Sequence, residues 1–259
     1  MKTITALAVS LSLITASAFA ETSQEKGLGI AKAADARDTG FQDFTADMQM
    51  ILKNRAGKTS TRSIRIKTLE VLGDGDKSMS LFDTPADIKG TTMLTYSHGL
   101  KPDDQWLYLP ALKRVKRINS RNKSGPFMGS EFAFEDLGSQ EVEKYRYNYL
   151  RDEPCGQGWT CHVIERKPAY QYSGYTRQVV WIDNKEYRPT KIEFYDRKNS
   201  KLKTLVSSGY REYAGYWRPA RMQMDNHQTG KSTTLNWNNY TFKVGLRASD
   251  FNKNAIKRR

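Results

Sequence analysis

The chain has 259 residues, 42 Lys and Arg against 28 Asp and Glu, 38% hydrophobic residues and a mean hydropathy of −0.72. That length suits one large domain or two small ones, and an aromatic content of 11% argues against a disordered chain, which is poor in such residues. Beyond residue 20 no apolar run is long enough to cross a bilayer as a helix, and the positive surplus points to anionic surfaces or acidic partners.

The amino terminus reads as an export signal. Lys2 supplies the positive start, residues 4–16 form an apolar and small-residue run, and Ala18-Phe19-Ala20 is an A-x-A cleavage site. Cleavage after Ala20 leaves a chain that begins at Glu21 and is addressed to a bacterial periplasm or the outside of a cell. No Cys lies in or beside the signal to accept a lipid there.

Next comes an alanine-rich segment, 25–37, which predicts a helix with Ser23 as its cap and Lys26 at the third position. From Phe41 the period changes. Phe44, Ala46, Met48, Met50 and Leu52 alternate with mostly polar neighbours, which predicts a half-buried strand over 44–52. A second strand over 62–72, carrying Ile64 and Ile66, ends at Gly73-Asp74-Gly75-Asp76, and 77–82 returns as its hairpin partner. Thr84-Pro85-Ala86-Asp87 breaks the pattern and 91–96 restarts it. Strands 105–109 and 114–118 flank Pro110-Ala111-Leu112-Lys113. Residues 119–138 read as a loop with one short helix over 131–137.

Seven more strands follow, over 143–150, 160–167, 176–182, 189–195, 202–213, 217–225 and 231–242, separated by turn-rich connections. This spacing predicts an antiparallel meander in one mainly β domain over 21–259, strongly curved or forming an open barrel. In an oxidising compartment the two cysteines, Cys155 and Cys161, are most simply a disulfide that pins a small loop between two strands.

The catalytic inventory is thin. His98, His162 and His227 fall on separate turns or strands, and there is no H-E-x-x-H, G-x-S-x-G or P-loop. The acid pairs Asp103-Asp104 and Glu135-Asp136 suit turn or helix-start roles, because adjacent residues on a strand face opposite ways. Nothing assembles a nucleophile with a base, so no enzyme, metal or cofactor is expected. What the sequence offers instead is apolar residues on a curved sheet. Strand methionines, among them Met48, Met50 and Met79, suit a site that accepts acyl chains, although core filling is their commoner role. The densest charge run, Lys113, Arg114, Lys116 and Arg117 around Val115, reads either as a solvated hairpin or as a docking surface for anionic headgroups or an acidic partner.

Two stretches carry a family resemblance. One runs from Asp104 through Trp106, Tyr108, Pro110 and Arg117 to Ile118; the other runs from Phe127 through Gly129, Phe132, Phe134 and Asp136 to Leu137. Together they resemble the LolA-like outer membrane lipoprotein-sorting protein family, within the LolA/LolB superfamily of periplasmic carriers, and the similarity extends over residues 40–252. The resemblance implies a single strongly curved antiparallel β half-barrel with a few helices plugging its concave face. It implies a cavity for acyl chains, here expected to be lined by Met48, Met50, Met79, Trp106, Tyr108, Phe132 and Phe134. Trp106 and Pro110 are as well suited to shaping the fold. The implied function is a periplasmic carrier or chaperone that moves a lipid or lipidated protein between membranes, with an RND/MMPL-type inner-membrane transporter as partner and no nucleic acid. The alternative is a periplasmic regulatory protein that senses lipid or lipoprotein.

Overall fold

A computed structural model describes residues 21–257 apart from residue 157. The expected signal, residues 1–20, lies outside the described residues. The chain enters through helix α1, Ser23–Asp38. Its cap is Thr22 rather than Ser23: the Thr22 hydroxyl accepts from the Glu25 amide at 3.2 Å, and the Glu25 carboxylate accepts from the Thr22 amide at 2.9 Å. This reciprocal pair needs an acceptor side chain at the third helical position, which Glu25 supplies and Lys26 does not.

Fifteen strands follow among the described residues: β1 (Asp43–Lys53), β2 (Thr59–Leu69), β3 (Lys77–Thr84), β4 (Thr92–Tyr96), β5 (Asp104–Leu109), β6 (Arg114–Arg117), β7 (Tyr145–Pro154), β8 (Thr160–Pro168), β9 (Arg177–Asp183), β10 (Pro189–Tyr195), β11 (Lys201–Ser208), β12 (Arg211–Tyr213), β13 (Tyr216–Arg218), β14 (Arg221–Asn226) and β15 (Ser232–Phe242). Thirteen of them form one antiparallel sheet in the order β6-β5-β4-β3-β2-β1-β15-β14-β11-β10-β9-β8-β7, while β12 and β13 pair separately. Two meanders therefore meet where β1 pairs with β15. The edge strands β6 and β7 do not pair with each other, so the barrel is not closed.

The expected strands over 202–213 and 217–225 are each divided. Gly209 takes φ +64°, a left-handed conformation that ends β11, and Pro219 has no amide to donate between β13 and β14. The segment between these breaks leaves the sheet as the β12–β13 hairpin. The disulfide forms as expected. Cys155 and Cys161, with Cα atoms 5.6 Å apart, close the turn between β7 and β8.

Residues 118–144 connect one edge strand to the other. They form a loop, as expected, with 3-10 turns at Ser120–Asn122, Phe127–Gly129, Phe134–Leu137 and Val142–Lys144, and the short helix expected over 131–137 is reduced to the turn Phe134–Leu137. Phe132 and Phe134 are two positions apart, and a helix would turn them to different faces. Instead Phe127 N donates to Phe132 O at 2.7 Å and Phe134 N to Gly125 O at 3.1 Å, so the loop doubles back and drops its rings onto the sheet. Among the described residues α1 is the one α-helix, so this loop covers part of the sheet where helices were expected.

At β3–β5 the sheet is buried on both faces, whereas β1 and β2 leave Asp47, Gln49, Ser63 and Arg65 exposed on the back. On the front, Met48 and Met50 of β1, Ile64 of β2, Phe82 of β3, Met93 of β4 and Leu107 of β5 pack beneath Phe127 and Phe132. Farther along the same face, α1 sets Ile30 and Ala31 against Tyr145 and Tyr147 of β7, Ile164 of β8 and Val180 of β9. On the back, Met79 of β3, Leu94 of β4 and Trp106 of β5 are covered by Phe251 and Ile256, both fully buried. No helix among the described residues is long and apolar enough to cross a membrane.

Candidate functional site

Between α1 and the edge-to-edge loop, the front face is uncovered and forms a cavity of about 1350 Å³. Alternation along each strand builds its floor: Ile164 of β8, Val180 of β9, Ile192 and Phe194 of β10, Leu205 of β11, and Met222 and Met224 of β14 all project into it. An aromatic wall adds Phe44 of β1 with Trp237 and Tyr240 of β15. Residues 237 and 240 would face opposite ways in a regular strand. Asn239 takes φ 55° and the pairing with β1 shifts between Thr45 and Asp47, which is a bulge. The extra residue turns Tyr240 onto the front face, where its ring stacks on Trp237 with centroids 5.9 Å apart. Trp237 Nε1 is buried there without a hydrogen-bond partner.

The rim has the opposite chemistry, and its acidity contrasts with the basic chain as a whole. Asp35 and Asp38 from α1, Glu70, Asp76, Glu141 and Glu143 all line the cavity. Burial pushes the Asp76 carboxyl up to about 7, and the charges of Glu141, Glu70 and Asp38 add to the shift while a hydrogen bond from Val71 N opposes it. Burial also raises Asp35, helped by Glu143, Asp38 and Glu70. Glu141 is raised by burial first, with Asp35 and Glu143 adding to it. Asp38, though exposed and paired to Arg218, is also shifted upward by the surrounding protein and by Glu70. Carboxylates gathered at the edge of an apolar cavity raise the cost of ionising one another.

Buried polar groups fix the loop that bounds the cavity. Lys203 Nζ of β11 donates to Asp136 Oδ2 at 2.7 Å and to Glu131 O at 2.8 Å. Asp136 also accepts from Ala133 N and from the Tyr175 hydroxyl. Glu135, its carboxyl raised by burial, accepts from Gly174 N and Ser173 Oγ, both at 2.8 Å, and from the Tyr170 hydroxyl at 3.2 Å. Lys144 Nζ meets Asp103 at 3.0 Å. The two acid pairs noted in the sequence therefore supply turn and anchoring contacts.

The seven residues expected to share one cavity are divided by the sheet. Phe132 lines the cavity. Met48, Met50 and Phe134 lie on the same face but within the packed part beneath the loop. Met79, Trp106 and Tyr108 lie on the back face with Phe251 and Ile256. The physical reason is that β3–β5 are buried on both faces, so alternation alone does not tell front from back there. Lys113, Arg114, Lys116 and Arg117 are all exposed at the β5–β6 hairpin, with Arg117 paired to Asp104. The histidines have separate partners: His98 with Asp74, His162 with Asp152 and His227 with Thr204. Among the described residues no group of three or more His, Cys, Asp or Glu is placed to hold a metal ion. Sequence reasoning missed the acidic rim and the Trp237–Tyr240 wall. The wall depends on one bulge, and the rim collects residues from α1, the β2–β3 turn and the edge-to-edge loop.

Comparison with known proteins places the chain. A family model described as an uncharacterized protein matches residues 74–258. No protein of curated function matches at a significant level. Among solved structures, the chain is similar to a domain from Vibrio parahaemolyticus provisionally named an outer membrane lipoprotein-sorting protein. The two are 58% identical with a TM-score of 0.89, over 91% of this chain and 100% of that one. It is also similar to a DUF1329 family protein from Desulfovibrio piger, at 31% identity and a TM-score of 0.86, over 91% of this chain and 99% of that one. A LolA superfamily protein from Nitrosomonas europaea, at 20% identity and a TM-score of 0.71 over 91% and 99% of the two chains, shares the fold. With motifs, sheet and cavity already in view, these matches show that the chain belongs to the LolA-like outer membrane lipoprotein-sorting protein family.

Proposed function

We propose that this protein is a periplasmic, non-enzymatic carrier that holds the acyl chains of a lipid or lipidated protein in the front-face cavity during transfer between membranes. One observation carries the reading: a half-open cavity of about 1350 Å³, charged at its rim, has an apolar floor and exceeds the ~300–1,000 Å³ typical of pockets for drug-sized ligands. Burying acyl carbon yields about 0.8 kcal/mol per methylene, so a floor of Ile, Val, Leu, Phe and Met offsets removal of a chain from a bilayer. The similarity to an outer membrane lipoprotein-sorting domain supports the same class of cargo.

In this reading the sheet is a half-barrel. The Lys144–Asp103 pair supports that shape, since it ties the residue before edge strand β7 to the residue before β5, beside the other edge. The exposed run Lys113, Arg114, Lys116 and Arg117 is the docking surface for anionic headgroups or for an acidic face of an RND/MMPL-type transporter that passes on the cargo.

Native mass spectrometry on protein purified from a bacterial periplasm without detergent tests the carrier reading. The expected result is a bound species of lipid mass that is lost in Met224→Glu and kept in the exposed variant Lys116→Glu. A protein that carries no lipid and takes none up from vesicles overturns it. Reversing the four basic residues to Glu tests the docking surface, and unchanged membrane or partner binding at low salt refutes that role.

A further inference from the structure

The cavity mouth carries two exposed apolar side chains that contribute nothing to the core. Leu72 is 74% exposed and Leu100 61% exposed, and both line the cavity. Leu72 sits in the β2–β3 turn and Leu100 in the β4–β5 turn, and antiparallel order puts these turns at the same end of the sheet. The two turns brace each other. His98 Nδ1 lies 2.8 Å from Asp74, and Ser97 N donates to Asp76 O at 2.9 Å. Ser139 of the edge-to-edge loop clips both, accepting from Asp76 N at 3.2 Å and donating to Ser97 Oγ at 2.8 Å. Gly75 is packed so closely that a Cβ would come within 2.6 Å of the Ser97 carbonyl carbon. Leu72 and Leu100 are thus displayed on a fixed tip, and ordering them at a contact loses little further backbone freedom.

We propose that this braced tip is the surface through which the protein contacts an uncharged, zwitterionic lipid bilayer, with Leu72 and Leu100 inserted at the headgroup boundary. Two observations fix the partner's chemistry. The leucines border the apolar cavity, so a lipid surface pressed against them gives an acyl chain a path that avoids water. The charges that reach solvent at this mouth are mainly acidic, with Glu70 and Asp74 against Lys101, and would repel an anionic surface. The basic hairpin carries its own exposed leucine, Leu112, at 62%, but on the turn at the other end of β5 and away from the cavity lining. Transfer through the tip rests on the carrier reading, whereas contact with the bilayer does not.

Flotation with phosphatidylcholine vesicles tests the contact. Each inserted leucine is worth roughly tenfold in partitioning, so Leu72→Ser/Leu100→Ser should bind about 100-fold more weakly than the parent. Leu112→Ser should bind as the parent does, and salt should have little effect. Leu72→Trp gives a second readout, a blue shift of emission on adding vesicles. Equal binding by the double variant, or binding confined to anionic vesicles and abolished by salt, overturns the proposal. A parent that floats through these leucines yet carries no lipid by mass spectrometry keeps the contact and removes the carrier reading. A parent that carries lipid but fails to float does the reverse.

Discussion

Asp76→Asn is expected to stabilise the protein, and to do so more as pH rises. Asp76 lies where the β2–β3 turn, the β4–β5 turn and the edge-to-edge loop meet, and its Oδ1 accepts from Val71 N at 3.2 Å. Its carboxyl is raised from an ordinary 3.8 to about 7, chiefly by burial. The native state therefore keeps this proton to higher pH than the unfolded chain does, and stability falls as pH climbs from about 4 to about 7. The shift corresponds to at most about 4 kcal/mol, and partial solvent access at the rim reduces that to about 2–3 kcal/mol. Asparagine keeps an acceptor for Val71 N and carries no charge. Urea unfolding of both proteins should show the variant ahead by about 2–3 kcal/mol near pH 8, and by about half of that near pH 5. A gain that does not change with pH, or a loss near pH 8, refutes the assignment of a buried, repelled carboxylate at this position.

Two further substitutions test the scaffold around the cavity. Lys203→Met leaves the buried Asp136 carboxylate without its cation while Ala133 N and the Tyr175 hydroxyl still donate to it, so urea unfolding should record a loss of about 3 kcal/mol. Less than about 1 kcal/mol would mean that the pair does not anchor the loop. Replacing Cys155 and Cys161 together by Ser opens a loop with a sequence separation of 6 and should cost about 2 kcal/mol in urea unfolding on the chain-entropy account.

Much of the sheet was legible because alternation is a local signal. Met48, Met50, Ile64 and Ile66 repeat every second residue and fall on one buried face, as read. Strand 189–195 is observed with the bounds expected. The motif stretches around Trp106 and Phe132 identified the family, yet those two residues lie on opposite faces of the sheet. Residue parity assigns Met79 and Phe82 to opposite faces of β3 but does not say which face is open. That is decided by a segment far along the chain, where Phe251 and Ile256 close the back. Residues 119–138 form a loop as expected, but the short helix over 131–137 is reduced to the 3-10 turn Phe134–Leu137. The competing signal was the buried chemistry of Lys203, Thr233 and Tyr175, which lie far away in sequence.

The same long-range chemistry accounts for an apolar cavity that stays open. The edge-to-edge loop could bury most apolar surface by spreading over the whole front face, and its anchors prevent this. Arg62 Nη1 donates to Met128 O, Thr233 Oγ1 accepts from Glu131 N, Gln105 Nε2 donates to Phe134 O, and Lys203 holds Asp136. Together these contacts keep Phe127 and Phe132 over β1–β5 and beside β11 and β15. Buried ionic contacts of this kind contribute little net stability compared with an apolar replacement, but they penalise any shift that leaves a charge unpaired. The loop is thereby confined to one half of the face. On the other half, the floor of Ile164, Val180, Ile192, Leu205 and Met224 stays uncovered, while β3–β5 are closed by the loop in front and by Phe251 and Ile256 on the back.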